Sequence, residues 1–507
     1  MMARRSVRSR VASLVVCVTG LVSAAQAAHA FTEKVDVLVR PVEGWLIFSE
    51  SATISPDNRR IALVAKKGDR FALIVDGKMH REYDAISKDT LPVFSPDSRH
   101  IAYKVKKGKK WAVVLDGDEL KPYDNVGGIT FSPDSRRLAY VAQKGADYVV
   151  VADGVESKPY DGIPHTNNPV FSPDSKRLAF LALKGKNMVV VEGTNEGREY
   201  EKISFPFFSP DSKHLVYPVI QGKKMLVVFD GKELPAYDKT SLQAFSPDSS
   251  RFVYTAKQGD KAFMVVDGKP QASFTDIAMP IFSPDSKRLA YLAKEGEKFV
   301  MVIDGAKTAP YDEILQFSFS PDSRKYYYTA RKGDDWHLYL DGKATGPSFD
   351  AMLLPIFSPD SRRIAYLGMK GKKWTLVLDG TLTPYYDAIL DPQFSPDSQH
   401  LLCRAMKDNR WRALLDGREM KTYDAVTLPM FSPDSKHHAY IANEKGKWFV
   451  VADGREGQDR FLMFLKGAQK GSVNLDIDNE GRFSLIAIQE NKDSNLGPNF
   501  VRYTVGM

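Results

Sequence analysis

From Ile54 to Asp453 short apolar runs alternate with Pro, Asp, Gly and Lys at regular intervals, and no 3.6-residue apolar stripe competes with them. One stretch reads Phe357-Ser-Pro-Asp-Ser-Arg-Arg-Ile-Ala-Tyr-Leu, then Lys370-Gly371-Lys-Lys-Trp374-Thr-Leu-Val-Leu-Asp379-Gly380, then Tyr386-Asp387-Ala-Ile. This predicts four short strands, a to d. Strand a ends at the Phe. The Pro of Ser-Pro-Asp presets φ for a tight turn and the Asp bonds nearby N–H groups, so strand b follows at once. A Lys-Gly turn leads to strand c, and Asp-Gly, a strong hairpin signal, leads to strand d with its Tyr-Asp pair.

The Ser-Pro-Asp triplet occurs eleven times, with prolines at 56, 96, 133, 173, 210, 247, 284, 321, 359, 396 and 433. Ten are preceded by Phe and the first by Ile54. Four strands in about 40 residues is the size of a propeller blade, and a row of four-stranded sheets with open edges is expected to close into a ring. Beyond the last full repeat, Val473 to Ile488 reads as a degenerate a–b hairpin and Phe500-Val-Arg-Tyr-Thr-Val as its strand c, with no strand d of its own. The segment Val35-Asp-Val-Leu-Val is expected to supply that strand and staple the chain ends together. The fold class is therefore all-β, a β-propeller of about twelve four-stranded blades. Since single rings usually carry fewer, two six-bladed propellers are the first expectation and one large ring the second. The expected organisation is a leader over 1–30, a ring-closing strand segment over 31–53, blades 1–6 over 54–281 and blades 7–12 over 282–507.

The Phe-Ser-Pro-Asp-Ser-Lys/Arg motifs, each followed by an apolar strand, resemble the TolB-type, WD-like propeller repeat over roughly residues 50–455. That family's usual turn is Ser-Pro-Asp-Gly, whereas this chain has Ser in ten units and Asn58 in the first, so its turn must work without Gly. The resemblance implies a propeller whose d–a loops surround the mouth of a central channel. About twenty residues separate the leader from the first repeat, too few for the α/β domain that precedes the propeller in TolB. Propeller-capped oligopeptidases need a Gly-x-Ser-x-Gly hydrolase domain, which this sequence lacks.

Charge enters after the pattern. The 507 residues carry 71 Lys and Arg against 63 Asp and Glu, a formal +8. Arg4, Arg5, Arg8 and Arg10 belong to a basic stretch followed by apolar Val11–Val22 and the small-x-small triplets Ala25-Gln26-Ala27 and Ala28-His29-Ala30, the layout of a cleaved secretory signal. The expected compartment is the periplasm or the exterior, with cleavage near Ala27 or Ala30. Without those four arginines the balance falls to +4, and export disfavours nucleic acid as a partner. No later apolar run is long enough for a membrane helix. Once the leader and Cys17 are removed, Cys403 stands alone and no intrachain disulfide can form.

Candidate chemistry is sparse. About half of the 63 acids fall in the Ser-Pro-Asp, Asp-Gly (Glu192 replacing Asp once) and Tyr-Asp positions, where turns and strand ends account for them. His100, His214, His400 and His437 replace the Arg or Lys of other units and read as basic turn residues, so no metal site is expected. The acidic stretch Asp476-x-Asp478-x-Glu480 lacks the closing Glu of a calcium loop. Trp111, Trp336, Trp374, Trp411 and Trp448 open strand c and read as blade packing. The departures from the repeat are more informative. Two d–a connections carry three extra residues, which makes Asp89, His165, Asn167 and Asn168 candidate ligand or partner contacts. Basic b–c turns on the same face, with Lys107, Lys109, Lys110, Lys372 and Lys373, suggest docking to a protein or an anionic envelope component. The expected function is a non-enzymatic interaction scaffold without a cofactor. The competing expectation is a ligand-binding, lyase or hydrolase propeller that uses the channel mouth.

Overall fold

The computed structural model describes residues 32–87, 91–164, 168–427, 429–465, 476–477, 482–491 and 497–506. The described residues form twelve antiparallel sheets and no helix. Blade 7 is representative: strand a Asp276–Phe282, b Leu289–Glu295, c Lys298–Ile303 and d Ala306–Lys307, hydrogen-bonded in that order. Strands b and c bury nearly every central residue, because both faces of each sheet meet a neighbouring blade.

The core lies between blades. Twelve apolar clusters each join two consecutive blades and together complete the circuit. Val253, Met264 and Phe274 of blade 6 pack on Ile277, Leu289 and Tyr291 of blade 7. Ile486, Ile488 and Phe500 of blade 12 pack on Ile61, Leu63 and Ile74 of blade 1. Each such aliphatic side chain contributes about 1.5–3 kcal/mol when fully removed from water. The twelve blades thus stand in a ring, and the packing is unbroken at the place where a boundary before Phe282 was expected. Phe282 is itself the last residue of a strand a, so a blade boundary falls ahead of Asp276.

Closure follows the expected route. In blade 12, strand b (Phe483–Gln489) pairs with strand c (Asn499–Gly506), and strand c pairs with the N-terminal strand Thr32–Val39 in the position of strand d. The register runs from Thr32↔Gly506 to Val37↔Val501. Glu33 fastens the seam: Tyr503 donates to it at 2.5 Å and the Gln458 N–H at 2.9 Å. Only part of the 31–53 segment closes the ring, however. Leu46–Ile54 is strand a of blade 1, because its apolar residues are needed against strand b (Ile61–Lys67).

Candidate functional site

The face carrying the a–b and c–d turns is a hydrogen-bond lattice that consumes the repeat carboxylates. In blade 1, Ser55 Oγ and the Arg59 N–H both donate to Asp57 Oδ1. Asp76 of the Asp-Gly turn accepts the Ile61 N–H at 2.9 Å on one oxygen and Arg60 Nε at 2.8 Å on the other. Arg60 then reaches the next blade, donating to the Ser98 and Arg99 carbonyls and lying 5.3 Å from the Phe94 ring centroid. Six of the Phe residues that precede Ser-Pro-Asp are thus also cation–π platforms for the preceding blade's Arg. His100, His214, His400 and His437 hold the same Asp through Nδ1 at 2.6–2.8 Å, as basic substitutes on the turn. Glu192 still meets its Arg177 at 2.5 Å, but Gly193 fills the turn position that Asp holds elsewhere.

Ten further hydrogen bonds link the eleven Ser-Pro-Asp turns blade to blade. From Asp57→Ser98 to Asp397→Ser435, the Asp N–H donates to the next turn's second Ser Oγ at 2.9–3.0 Å. Those serines all lie at φ between 63° and 68°, a left-handed conformation that normally favours Gly. Hydroxyl donation holds Asp97, beside Ser95, and Asp134, beside Ser132, below the ordinary carboxylate range.

On the opposite face, the Tyr-Asp carboxylate ties the next blade's b–c turn: Asp84 accepts the Gly108 N–H, Asp161 that of Gly185 and Asp350 that of Gly371. Carboxylates on strand d and at its end neutralise much of the basic face. Lys110 pairs with Asp124 at 2.5 Å, Lys373 with Asp387, and Lys107 with Glu119 at 3.4 Å. Lys109 and Lys372 have no ion pair among the described residues. Blades 2 and 9, which carry the two lysine groups, stand on distant arcs of the ring, so the five lysines do not form one patch. Asp89, His165 and Asn167 lie outside the described residues. Asn168 is exposed beside blade 3, its Oδ1 3.2 Å from where a side chain on Gly128 would begin.

The feature that sequence reasoning missed is the inner wall. Among the described residues every inner strand is interrupted: seven by a register shift, and five because strand a is described in two separate short pieces. At these breaks apolar side chains face solvent: Leu91, Phe205, Met279, Leu315, Leu353, Leu354, Leu390 and Met463 are 38–55% exposed. Five of them fall on the consecutive blades 7 to 10, making one apolar arc. Met279 and Leu354 stand at φ 51°, a strained setting for residues with long side chains. The signal was present in the sequence as a variable apolar residue ahead of Pro, as in Met279-Pro280 and Leu354-Pro355.

Elsewhere, two polar cavities flank blade 12. One of about 610 Å³ is lined by Arg59, Arg482, Arg502 and Asp36, and one of about 620 Å³ by Arg40, Asp459, Arg460 and Glu490. Cys403 is fully buried and its thiol is pushed far up by desolvation, which makes it unreactive. Among the described residues no group of three His, Cys, Asp or Glu is placed to hold a metal ion.

No family model matches the chain, and no curated protein matches it. Among solved structures it is similar to the β-propeller domain of the Trilobed protease from Pyrococcus furiosus (13% identity, 53% of this chain and 97% of that one, TM-score 0.27). It is also similar to dihydro-heme d1 dehydrogenase NirN in complex with DHE (12%, 62% and 70%, 0.27) and to TolB from Acinetobacter baumannii (13%, 55% and 77%, 0.20).

Proposed function

We propose that this protein is an exported, non-enzymatic binding platform whose working surface is the apolar inner wall of a single twelve-bladed ring. The observation that carries the reading is the placement of exposed apolar residues. They gather at the inner-strand breaks, on a backbone strained at Met279 and Leu354, while the repeat carboxylates are engaged in turns and blade contacts. Contiguous exposed apolar surface on a rigid scaffold marks an interaction site. The unbroken packing from blade 6 to 7 and from blade 12 to 1 supports one ring. The mechanism is rigid presentation: a partner segment loses its own freedom on binding, and the wall loses little because it is already ordered.

A photo-crosslinking amino acid at Leu353 or Leu390 tests this reading in the producing cells. The expected result is a discrete protein adduct from both positions and none from the outer-rim position Val155, which is 71% exposed. Equal crosslinking from all three, or none from the inner pair, contradicts the platform. Mass analysis of the isolated protein should show a chain starting near Ala28 or Phe31, and a retained leader contradicts export by cleavage.

A further inference from the structure

Blade 1 departs from the other register-shifted inner strands in the size of its bulge. Between the pairs Phe48↔Val64 and Thr53↔Ala62, residues 49–52 oppose Leu63 alone, whereas in blade 3 the shift between Gly127↔Val141 and Thr130↔Ala139 opposes only two residues to one. Ser51 fixes this wide bulge. Its Oγ donates to the Phe48 carbonyl at 2.6 Å and accepts the Val64 N–H at 2.8 Å. The bulge opens a cavity of about 160 Å³ between blades 1 and 2, walled by Phe48, Val64, Phe71, Ile86 and Leu91. An apolar cavity of about 150 Å³ admits one benzene-sized group. Glu50 is the one ionisable side chain of the lining; it is exposed and has no ion pair among the described residues. Lys66 stands outside the lining, its Nζ 5.3 Å from the Phe71 ring centroid.

We propose that this cavity is an anchor pocket for one Phe-, Leu- or Met-sized side chain of a partner polypeptide, with a Lys or Arg beside it that faces Glu50. The pocket sets the size of the anchor, and the unpaired carboxylate at its rim sets the charge of the neighbour. A cavity this small and apolar holds one side chain, and the free Glu50 repels acidic segments. The proposal rests on the platform reading and names the chemistry of its partner.

The test uses the purified full chain and three fluorescent acetylated tetrapeptides, Gly-Phe-Lys-Gly, Gly-Phe-Glu-Gly and Gly-Gln-Lys-Gly, read by anisotropy. The Phe-Lys peptide is expected to bind at least tenfold more tightly than the other two. Glu50→Lys, at an exposed position that the fold does not need, should reverse the preference between the Phe-Lys and Phe-Glu peptides. Leu91→Asp should weaken both at least fivefold, and unchanged melting curves would show that both variants are folded. Equal binding of the three peptides, or a preference that Glu50→Lys leaves in place, overturns the pocket. Inner-wall adducts at Leu353 and Leu390 with no peptide preference overturn this inference alone, whereas absence of those adducts overturns the platform reading beneath it.

Discussion

The second serine of each Ser-Pro-Asp-Ser turn sits where glycine would be easier. Its left-handed backbone carries a cost of about 1 kcal/mol or more, and its hydroxyl returns about 1 kcal/mol by accepting the preceding blade's Asp N–H. Asn58, in the first repeat, faces a blade 12 that has no Ser-Pro-Asp turn. Two substitutions separate the terms. Ser286→Ala keeps the strain and loses the acceptor, so it should cost about 1 kcal/mol in urea unfolding, whereas Ser286→Gly should fall within about 0.5 kcal/mol of the parent. Equal losses would show that the hydroxyl contributes nothing. The turn carboxylates also set an acid limit. The Ser-Pro-Asp carboxylates from Asp97 to Asp434 have lowered folded pKa values, that of Asp248 about 2 through the Ser250 N–H and the Ser246 and Ser250 hydroxyls. A lowered pKa stabilises the fold above the unfolded value near 3.9 and is lost as pH falls through the folded one. The urea midpoint should therefore hold steady down to about pH 5 and drop progressively below about pH 4. A midpoint that rises on acidification contradicts the lattice.

At the scale of the element, the blade was legible because its punctuation is chemical. Pro fixes the a–b turn, Asp-Gly the c–d turn, and strands b and c read as continuous apolar runs because both faces are covered. The closing strand was legible for a related reason: Phe500–Val505 lacked an outer partner and Val35–Val39 lacked a sheet. The breaks in strand a were only faintly legible: an apolar residue ahead of Pro marks two of them, at Met279-Pro280 and Leu354-Pro355, but a bulge depends on how the residues beside it pair across the sheet. Nor could spacing show that Lys110 and Lys373 are spent on Asp124 and Asp387, because those pairs form between strands c and d. The seam yields a prediction. Val35→Pro removes a ladder donor from the closing strand and should lower the melting temperature by several degrees and expose blade 12 to protease, while Glu33→Gln should cost less. A Val35→Pro protein that melts like the parent would mean that the chain ends do not hold the ring.

For the whole molecule, the fold follows from repetition, and the proposed function rests on where repetition is relaxed. Sheet after sheet is fixed by the same Phe, Ser, Asp and Arg contacts, so the surfaces free to vary are the inner breaks and the outer rim. Averaged electron-microscope images should show one open-centred ring of twelve blades; two separate six-bladed lobes would contradict single-ring closure. Net charge has little part in this account, since half of the formal +8 comes from Arg4, Arg5, Arg8 and Arg10 and many remaining lysines are paired. The most direct test of the platform is whether its inner wall is covered at work. Cys403 is buried and does not compete for a thiol reagent, so Leu353→Cys and Leu390→Cys can be labelled with a maleimide in intact cells and after purification. Rapid labelling of the purified protein with strong protection in cells, against a Val155→Cys control that labels equally in both, is the expected result. Equal labelling of Leu353→Cys and Leu390→Cys in both settings would contradict it.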